Sequence, residues 1–397
     1  MEYWITATQK RFSAVAHLMG NYLPWLLPEF APLRRIEGLN LSAPTARDLS
    51  PRNAPAFIDE LNIALQRICP LAEEDSDLHL LAEQLRNLLP ETRKNFINLR
   101  ENLQRIAVRT EQLTEATDFG CLFHRGRNLL SVALRTNRDK VDDACYDLFA
   151  SEARTAAFLA VAKGDIPPST WFSMGRSHTL ATGSPVLSSW TGTMFEYLMP
   201  ALWMRTYSDT MLDASLRGAI AAQRAHASSL HIPWGISEAA YSTRDKDGHY
   251  QYHAFGIPAL ALSPSADDGP IISPYSSFLA MPFDREAALA NLGHLANTGW
   301  IGEYGFYEGG DYRDSKNASQ RKPEPVIIRS WMAHHQGITL LALANVLFDG
   351  AIHRWFHADA RVQACELLLH EKSLRPSAII AIQNASNHCR HRKRDVA

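Results

Sequence analysis

Apolar residues return every three or four positions along most of this chain, and almost nowhere do they alternate in the manner of a half-buried strand. Leu78, Leu81, Leu85, Leu88 and Leu89 form one such stripe, and Phe96, Leu99, Leu103 and Ile106 another. The spacing predicts a pair of amphipathic helices before residue 115. A first helical segment over about residues 3–27 precedes them, set off by the proline-rich stretch Leu41 to Pro55, where Asn53 or Pro55 supplies the next start signal. From Asp118 the texture changes to longer apolar helices broken by loops carrying Gly, Pro, aromatic residues and acids. Helices are expected over about 142–163, 191–206, 210–229, 284–297, 330–348 and 358–371, after a short hairpin that turns at Arg125-Gly126-Arg127-Asn128. The reading is all-α, with a helical linker or docking segment over 1–115, a larger helical domain over 116–375 and a tail over 376–397.

Hydrophobic residues make up 46% of the 397 positions and charged ones 21%, which is enough apolar material for a sizeable core and excludes a disordered chain. The net charge of −2 leaves no electrostatic footprint for nucleic acid, since the one basic cluster is the run His388 to Arg394. Five cysteines (Cys69, Cys121, Cys145, Cys365 and Cys389) without paired or metal-type spacing argue for a reducing compartment rather than a disulfide framework. The first thirty residues lack the order of a secretory leader, and no apolar run approaches the ~18 residues needed to span a bilayer. A cytoplasmic protein is expected, compatible with attachment to an inner membrane through other domains. Phosphate loops, dinucleotide fingerprints, Cys-x-x-Cys pairs and nucleophile elbows are missing, and no cofactor or metal is expected.

Chemistry concentrates in a few segments. In Trp234-Gly-Ile-Ser-Glu238, followed by Tyr250-Gln-Tyr252 and Phe255-Gly-Ile-Pro258, a carboxylate stands among aromatic rings. Flat rings stack on pyranose faces while an acid of tuned pKa handles a glycosidic oxygen, so the pattern points to carbohydrate chemistry. Glu152 lies in an otherwise apolar run and needs a partner, most simply Arg154, or a polar cavity. Glu196 sits similarly, with an ion pair to Arg205 as the structural alternative. Asp143 and Asp147, four apart, are expected to share one helix face near its N-terminus. Glu308 and Asp311 fall in the aromatic-acid loop Tyr304 to Tyr312, and Trp331-Met-Ala-His334-His335-Gln336 opens an apolar helix whose two histidines and glutamine suit sugar hydroxyls. Glu152, Glu196 and Glu238 recur at intervals of 44 and 42 residues, about one helical hairpin with its loops, which fits a toroid delivering side chains to one cleft.

Taken in order, Arg-Gly-Arg-Asn-Leu-Leu at 125, Tyr-Asp-Leu-Phe-Ala-Ser-Glu-Ala-Arg at 146, Gly-Thr-Met-Phe-Glu-Tyr-Leu-Met-Pro at 192 and Pro-Trp-Gly-Ile-Ser-Glu at 233 resemble one family. With Tyr-Gln-Tyr-His-Ala-Phe-Gly at 250, Tyr-Gly-Phe-Tyr-Glu at 304 and Met-Ala-His-His-Gln-Gly at 332, they look like the glycoamylase-like domain of cyclic β-1,2-glucan synthases, densely over about 118–375. The resemblance implies an (α/α)6 barrel related to endo-β-1,2-glucanases, which cuts linear β-1,2-glucan and joins it to its own non-reducing end with retention of configuration. It also implies partner domains, a membrane-embedded glycosyltransferase and a phosphorylase-like domain, and hence a split or truncated gene product. By position in the family motifs, Glu152 and Glu238 are the acid pair, with Glu196, Asp143 and Asp147 next in line. Trp234, Tyr250, Tyr252, Tyr307 and Trp331 are implied as stacking surface, and Arg127, His334, His335 and Gln336 as polar sugar contacts; Asp311, after two glycines that let backbone approach a ligand, is a candidate contact from its own loop. The chain departs from the family at Ser237-Glu238-Ala239, where Ser-Glu-Ser is usual, and after about residue 375. The competing expectations are a hydrolase of the same glucan, an inactive glucan-binding fragment, and a metal enzyme using His334 and His335.

Overall fold

The computed structural model describes residues 2–36, 39, 49–68, 76–136, 140–264, 269–313 and 323–372. The expected tail over 376–397, with its basic run, and Cys69 and Cys389 lie outside the described residues. The chain separates into two compact units, one ending at Thr117 and the other beginning at Asp118.

In the first unit, helix α1 spans Glu2–Tyr22, α2 spans Ala54–Ile68 and α3 spans Ser76–Ala116. The chain enters α2 through a local clasp, in which Asn53 accepts from the Ser50 backbone N–H at 2.6 Å and so ends the preceding turn. The two stripes read as a pair of helices belong to one continuous helix, α3, which runs on through Pro90. Leu85 and Leu89 pack in a core with Trp25, Leu33, Ile58 and Leu65, whereas Leu103 and Ile106 farther along α3 are exposed. Helical period alone does not tell a core stripe from a solvent-facing one.

The second unit contains α4 (Arg154–Lys163), α5 (Ser169–Ser173), α6 (Met194–Leu198), α7 (Met211–Leu230), α8 (Pro274–Ala280), α9 (Arg285–Asn297), α10 (Ala333–Leu347), α11 (Ala351–Phe356) and α12 (Ala360–Cys365). Helix α7 starts at its N-cap Thr210 and α9 at its N-cap Asp284, each accepting a backbone N–H, and α4 stops where Gly164 turns left-handed. The helix expected over 142–163 is shorter than predicted. Residues before Arg154 run as irregular chain pinned by single bridges, Leu148 to Gly175 and Ala150 to Ser189, and the acids at 142, 143 and 147 pair with Arg135, Lys140 and Arg127 instead of capping a helix. Asp143 and Asp147 therefore share no helix face.

Helices pack in neighbouring pairs, α4 on α12, α6 on α7, α8 on α9 and α10 on α11, and α8 also lies against α6 and α10. Short antiparallel pieces fill the ends. The predicted hairpin at Arg125 pairs Phe123–His124 with Leu129–Leu130, and a larger one pairs Ala239–Arg244 with Tyr250–His253. A three-stranded patch sets Gly309–Asp311 between Ile271–Ile272 and Val326–Ile328. Phe149, Phe158, Trp171, Tyr197, Ile257, Ile272 and Trp300 form the buried centre. Glu371 fastens the unit across nearly two hundred residues of chain: it accepts from Trp171 Nε1 at 2.9 Å and from Arg176 Nε and an Arg176 terminal nitrogen at 2.7 and 2.6 Å.

Two backbone segments cross without side chains between them at Gly192 and Gly256. Gly192 has φ +78°, and a Cβ there would meet the Ile257 carbonyl oxygen at 2.6 Å; one on Gly256 would meet the Thr191 carbonyl oxygen at 1.8 Å. Backbone, unlike a side chain, cannot rotate away. Gly256→Ala should therefore lower stability by about 2 kcal/mol or more, read as a lower denaturation midpoint of this unit. Ala at Gly293, where a Cβ meets nothing within 4 Å, should be tolerated.

Candidate active site

Glu238 stands where a rigid floor turns into the hairpin Ala239–Arg244. Ser237 before it is buried and accepts the Phe195 N–H of α6 at 3.0 Å, and its hydroxyl meets the Tyr275 hydroxyl at 2.8 Å. Tyr275, at the start of α8, donates in turn to the Glu238 carbonyl at 3.0 Å. One step back, the buried side chain of Gln223 in α7 bonds both the N–H and the C=O of Ile236, at 3.0 and 2.9 Å. Three helices thus hold the backbone that carries Glu238, whose side chain is itself only half-buried.

The carboxylate accepts from the Tyr252 hydroxyl at 2.7 Å, and that oxygen is 3.3 Å from Nε2 of both His334 and His335. The two adjacent histidines at the start of α10 do not diverge; their ring centroids are 4.0 Å apart. His335 stacks on Tyr275 at 3.9 Å and presents Nδ1 to both oxygens of buried Glu308 at 2.9 Å. Burial first, then the hydrogen bond to Glu238 and its negative charge, push the Tyr252 phenol well above its ordinary value, so it stays a donor at any working pH. His334 is pushed below the usual histidine value by burial and then by the charge of His335.

Glu152 lies just before α4. The expected partner Arg154 does not pair with it: the buried guanidinium donates to the carbonyls of Ser151, Glu196 and Tyr197 instead. Among the described side chains only Ser151 bonds Glu152, at 3.3 Å, and the Glu152 carboxyl is raised by burial and then by the charges of Glu196 and Glu238. The charge of Glu238 is thus felt at Glu152 although 86 residues separate them in the chain.

Other expected contacts are occupied elsewhere. Glu196 makes no pair with Arg205; it closes a capping box with Thr193 and accepts from Ser189, Thr191 and Thr193, which leaves it a structural anchor at the site's edge. Trp234, expected as stacking surface, is 8% exposed and packs in the core. Asp311 is buried; burial opposes its ionisation, but Arg313 and Ser242 bring its pKa down to about 2, so it is a loop clamp rather than a free sugar ligand. Asp143 lies 3.8 Å from Lys140 and Asp147 3.4 Å from Arg127, all at the surface. Tyr250 stacks under Arg244. Tyr307 and Trp331, centroids 5.1 Å apart, form with exposed Tyr304 an aromatic shelf, and Gln336 donates to the Phe306 carbonyl beside it. Glu308 was legible as part of a binding loop but not as the partner of His335, and Tyr275 carried no signal at all, since nothing in Pro274–Ala280 sets it apart from a core aromatic. Among the described residues no group of three or more potential ligands could hold a metal ion, and no helix is long and apolar enough to cross a membrane.

Comparison with known proteins places these residues in context. The chain is 40% identical over 283 residues, 71% of its length, to cyclic β-(1,2)-glucan synthase NdvB of Rhizobium meliloti (strain 1021), and this spans 10% of that protein. Among solved structures it is similar to an endo-β-1,2-glucanase from Chitinophaga pinensis in complex with sophorotriose and glucose, with a TM-score of 0.49 and 17% identity over 78% of this chain and 69% of that one. It is also similar to the endo-β-1,2-glucanase from Talaromyces funiculosus in complex with sophorose, with a TM-score of 0.45 and 14% identity over 78% and 62% of the two chains. Residues 145–360, more than half of the chain, match the glycoamylase family model, described as a glucoamylase. Glu152, Glu238, Tyr252, Glu308 and His335 all fall within that match, and the chain belongs to the glycoamylase family.

Proposed function

We propose that the second unit is a transglycosylase that cuts linear β-1,2-glucan and closes it into a ring with retention of configuration. The observation that carries this reading is the contrast between two carboxyl groups in one field: Glu152, raised by burial and by the charges of Glu196 and Glu238, and Glu238, served by the Tyr252 donor. A carboxyl raised by its surroundings suits a general acid, and a second carboxyl beside a hydrogen-bond donor suits a nucleophile. In our reading Glu152 gives its proton to the glycosidic oxygen while Glu238 attacks the anomeric carbon, and the bond to the leaving chain breaks. Glu152 then takes the proton of the 2-hydroxyl at the non-reducing end of the same glucan. That oxygen attacks the anomeric carbon, the ester to Glu238 breaks, and the ring closes. The shelf of Tyr304, Tyr307 and Trp331, with His334, would hold glucosyl units beside the pair.

The substrate class is supported by the likeness to the cyclic β-(1,2)-glucan synthase of Rhizobium meliloti. The helix pairs α4–α12, α6–α7, α8–α9 and α10–α11 support an (α/α)6 barrel over 116–375, with 1–115 as a separate docking segment. Because the chain spans a tenth of that relative, glycosyltransferase and phosphorylase-like activities, and any attachment to the inner membrane, would come from other domains.

Incubation with linear β-1,2-glucan should give products without new reducing ends. Free reducing ends rising in step with cleavage would instead assign a hydrolase, and glucan binding without any product an inactive fragment. Glu152→Gln and Glu238→Gln should each lower the rate by about 10²-fold or more with binding retained; near-normal turnover in either removes that residue from the pair.

The raised Glu152 carboxyl also makes a stability prediction. A carboxyl that titrates higher in the fold than in the unfolded chain costs nothing below the unfolded value of about 4.3, costs increasingly as pH rises through the raised value, and costs fully above it. Glu152→Gln should therefore raise Tm at pH 7, by roughly 1–3 °C, and the gain should vanish below about pH 4. Equal shifts at both pH values would refute the burial of a titrating group here.

A further inference from the structure

Tyr252 has a single proton and three polar neighbours. Its oxygen lies 2.7 Å from Glu238 Oε1 and 3.3 Å from Nε2 of each of His334 and His335. A phenol donates once and accepts with its remaining lone pairs. With the proton on the short contact to Glu238, any histidine nitrogen facing the same oxygen must itself carry a hydrogen, because two lone pairs in apposition repel. For His335 that has a consequence. Its Nδ1 already faces the two carboxylate oxygens of Glu308 at 2.9 Å and needs a hydrogen there as well. Both ring nitrogens then bear protons, and the ring is an imidazolium.

The surroundings supply what such a buried cation requires. The side chains of His335 and Glu308 are 2% and 0% exposed, and Glu308 takes a further bond from the Ala240 N–H at 3.2 Å. Buried charges persist when paired and hydrogen-bonded on every side. The titratable groups that face the ring are Glu308 from the strand Gly309–Asp311 side, Tyr275 of α8 stacked on it, Tyr252 of the hairpin, its own neighbour His334, and Tyr307 across the small pocket it lines. Only Glu308 among them is an acid; Glu238 lies beyond Tyr252.

Resting on the functional reading above, we propose that Glu308 and His335 are positioning residues: the ion pair keeps a hydrogen on His335 Nε2, which obliges Tyr252 to direct its only proton at Glu238. Tyr252 is thereby prevented from turning to a histidine, and Glu238 keeps its donor. Loss of the Nε2 proton at high pH releases Tyr252 and ends this arrangement, so the pair sets the alkaline limit of activity.

Two measurements test the pair. In 15N-histidine-labelled wild-type protein without substrate, both ring nitrogens of His335, assigned by comparison with His335→Gln, should give protonated-nitrogen shifts at pH 7; a bare Nε2 overturns the proposal without any assay. In the pH profile of kcat/KM on linear β-1,2-glucan, Glu308→Gln should move the alkaline limb down by about one pH unit or more, since a neutral amide no longer favours the imidazolium. On a Tyr252→Phe background the same change should leave the limb where it is. A loss by the same factor at every pH, or an equal shift with and without Tyr252, overturns the proposal and leaves Glu308 a merely structural residue. Failure of the functional reading has a different signature: wild type then turns over no glucan, or Glu238→Gln remains active, while the nitrogen shifts still decide the state of His335.

Discussion

A carboxylate taken out of water must either lose its charge or be met by donors, and the second unit is organised around four acids that answer this demand differently. Glu196 is met by hydroxyls and backbone N–H groups of its own loop, through a capping box that any helix start could use. Glu308 is met by an imidazole and one backbone N–H. Glu238 is half-buried and receives one phenol hydroxyl. Glu152 is given least, a single neighbouring serine among side chains, and is the one whose proton the surroundings hold on. The four acids thus run from fully satisfied to barely satisfied, and each owes its state to the donors its own loop or neighbours supply.

The scaffold behind these acids is mostly helical, yet the groups of the candidate site come from outside helix interiors. Glu152 precedes α4, Glu238 leads into a hairpin, Glu308 borders a short strand, and His334 and His335 open α10. Helix interiors satisfy their own backbone and offer side chains on a fixed pitch, whereas ends leave room for irregular backbone to set direction. The buried Gln223 and Tyr275 show the cost of that freedom, because each supplies side-chain bonds to irregular backbone beside Glu238 that no helix partner would satisfy.

Much of the helical framework was legible in the chain itself. Helices α7, α9 and α10 fall close to their expected bounds because apolar period and, for α7 and α9, capping residues at Thr210 and Asp284 agree. The acids before Arg154 misled for a local reason: a cluster of Asp residues looks the same whether it caps a helix or bonds adjoining loops. Trp234 misled for another, since an indole beside a carboxylate serves a core as well as a sugar, and only tertiary packing decides. Thr193-Met-Phe-Glu196 carried a readable capping-box pattern, but its spacing from Glu152 and Glu238 drew it toward the site. The link from Glu308 through His335 to Tyr252 joins residues 27 and 83 positions apart, a relation no local pattern encodes.

The Glu371 fastening bears on how the protein comes into being. Trp171 and Arg176 are made about two hundred residues before the carboxylate that holds them. At ribosomal rates of about 5–20 residues per second, that is a wait of roughly 10–40 s. Throughout it α4 lacks α12, its packing partner, and presents its apolar face to the cell. Closure of so long a loop is slow and entropically unfavourable until other contacts have shortened it. The nascent chain is therefore most vulnerable to aggregation not while α4 forms but in the interval before the segment with α12 and Glu371 arrives.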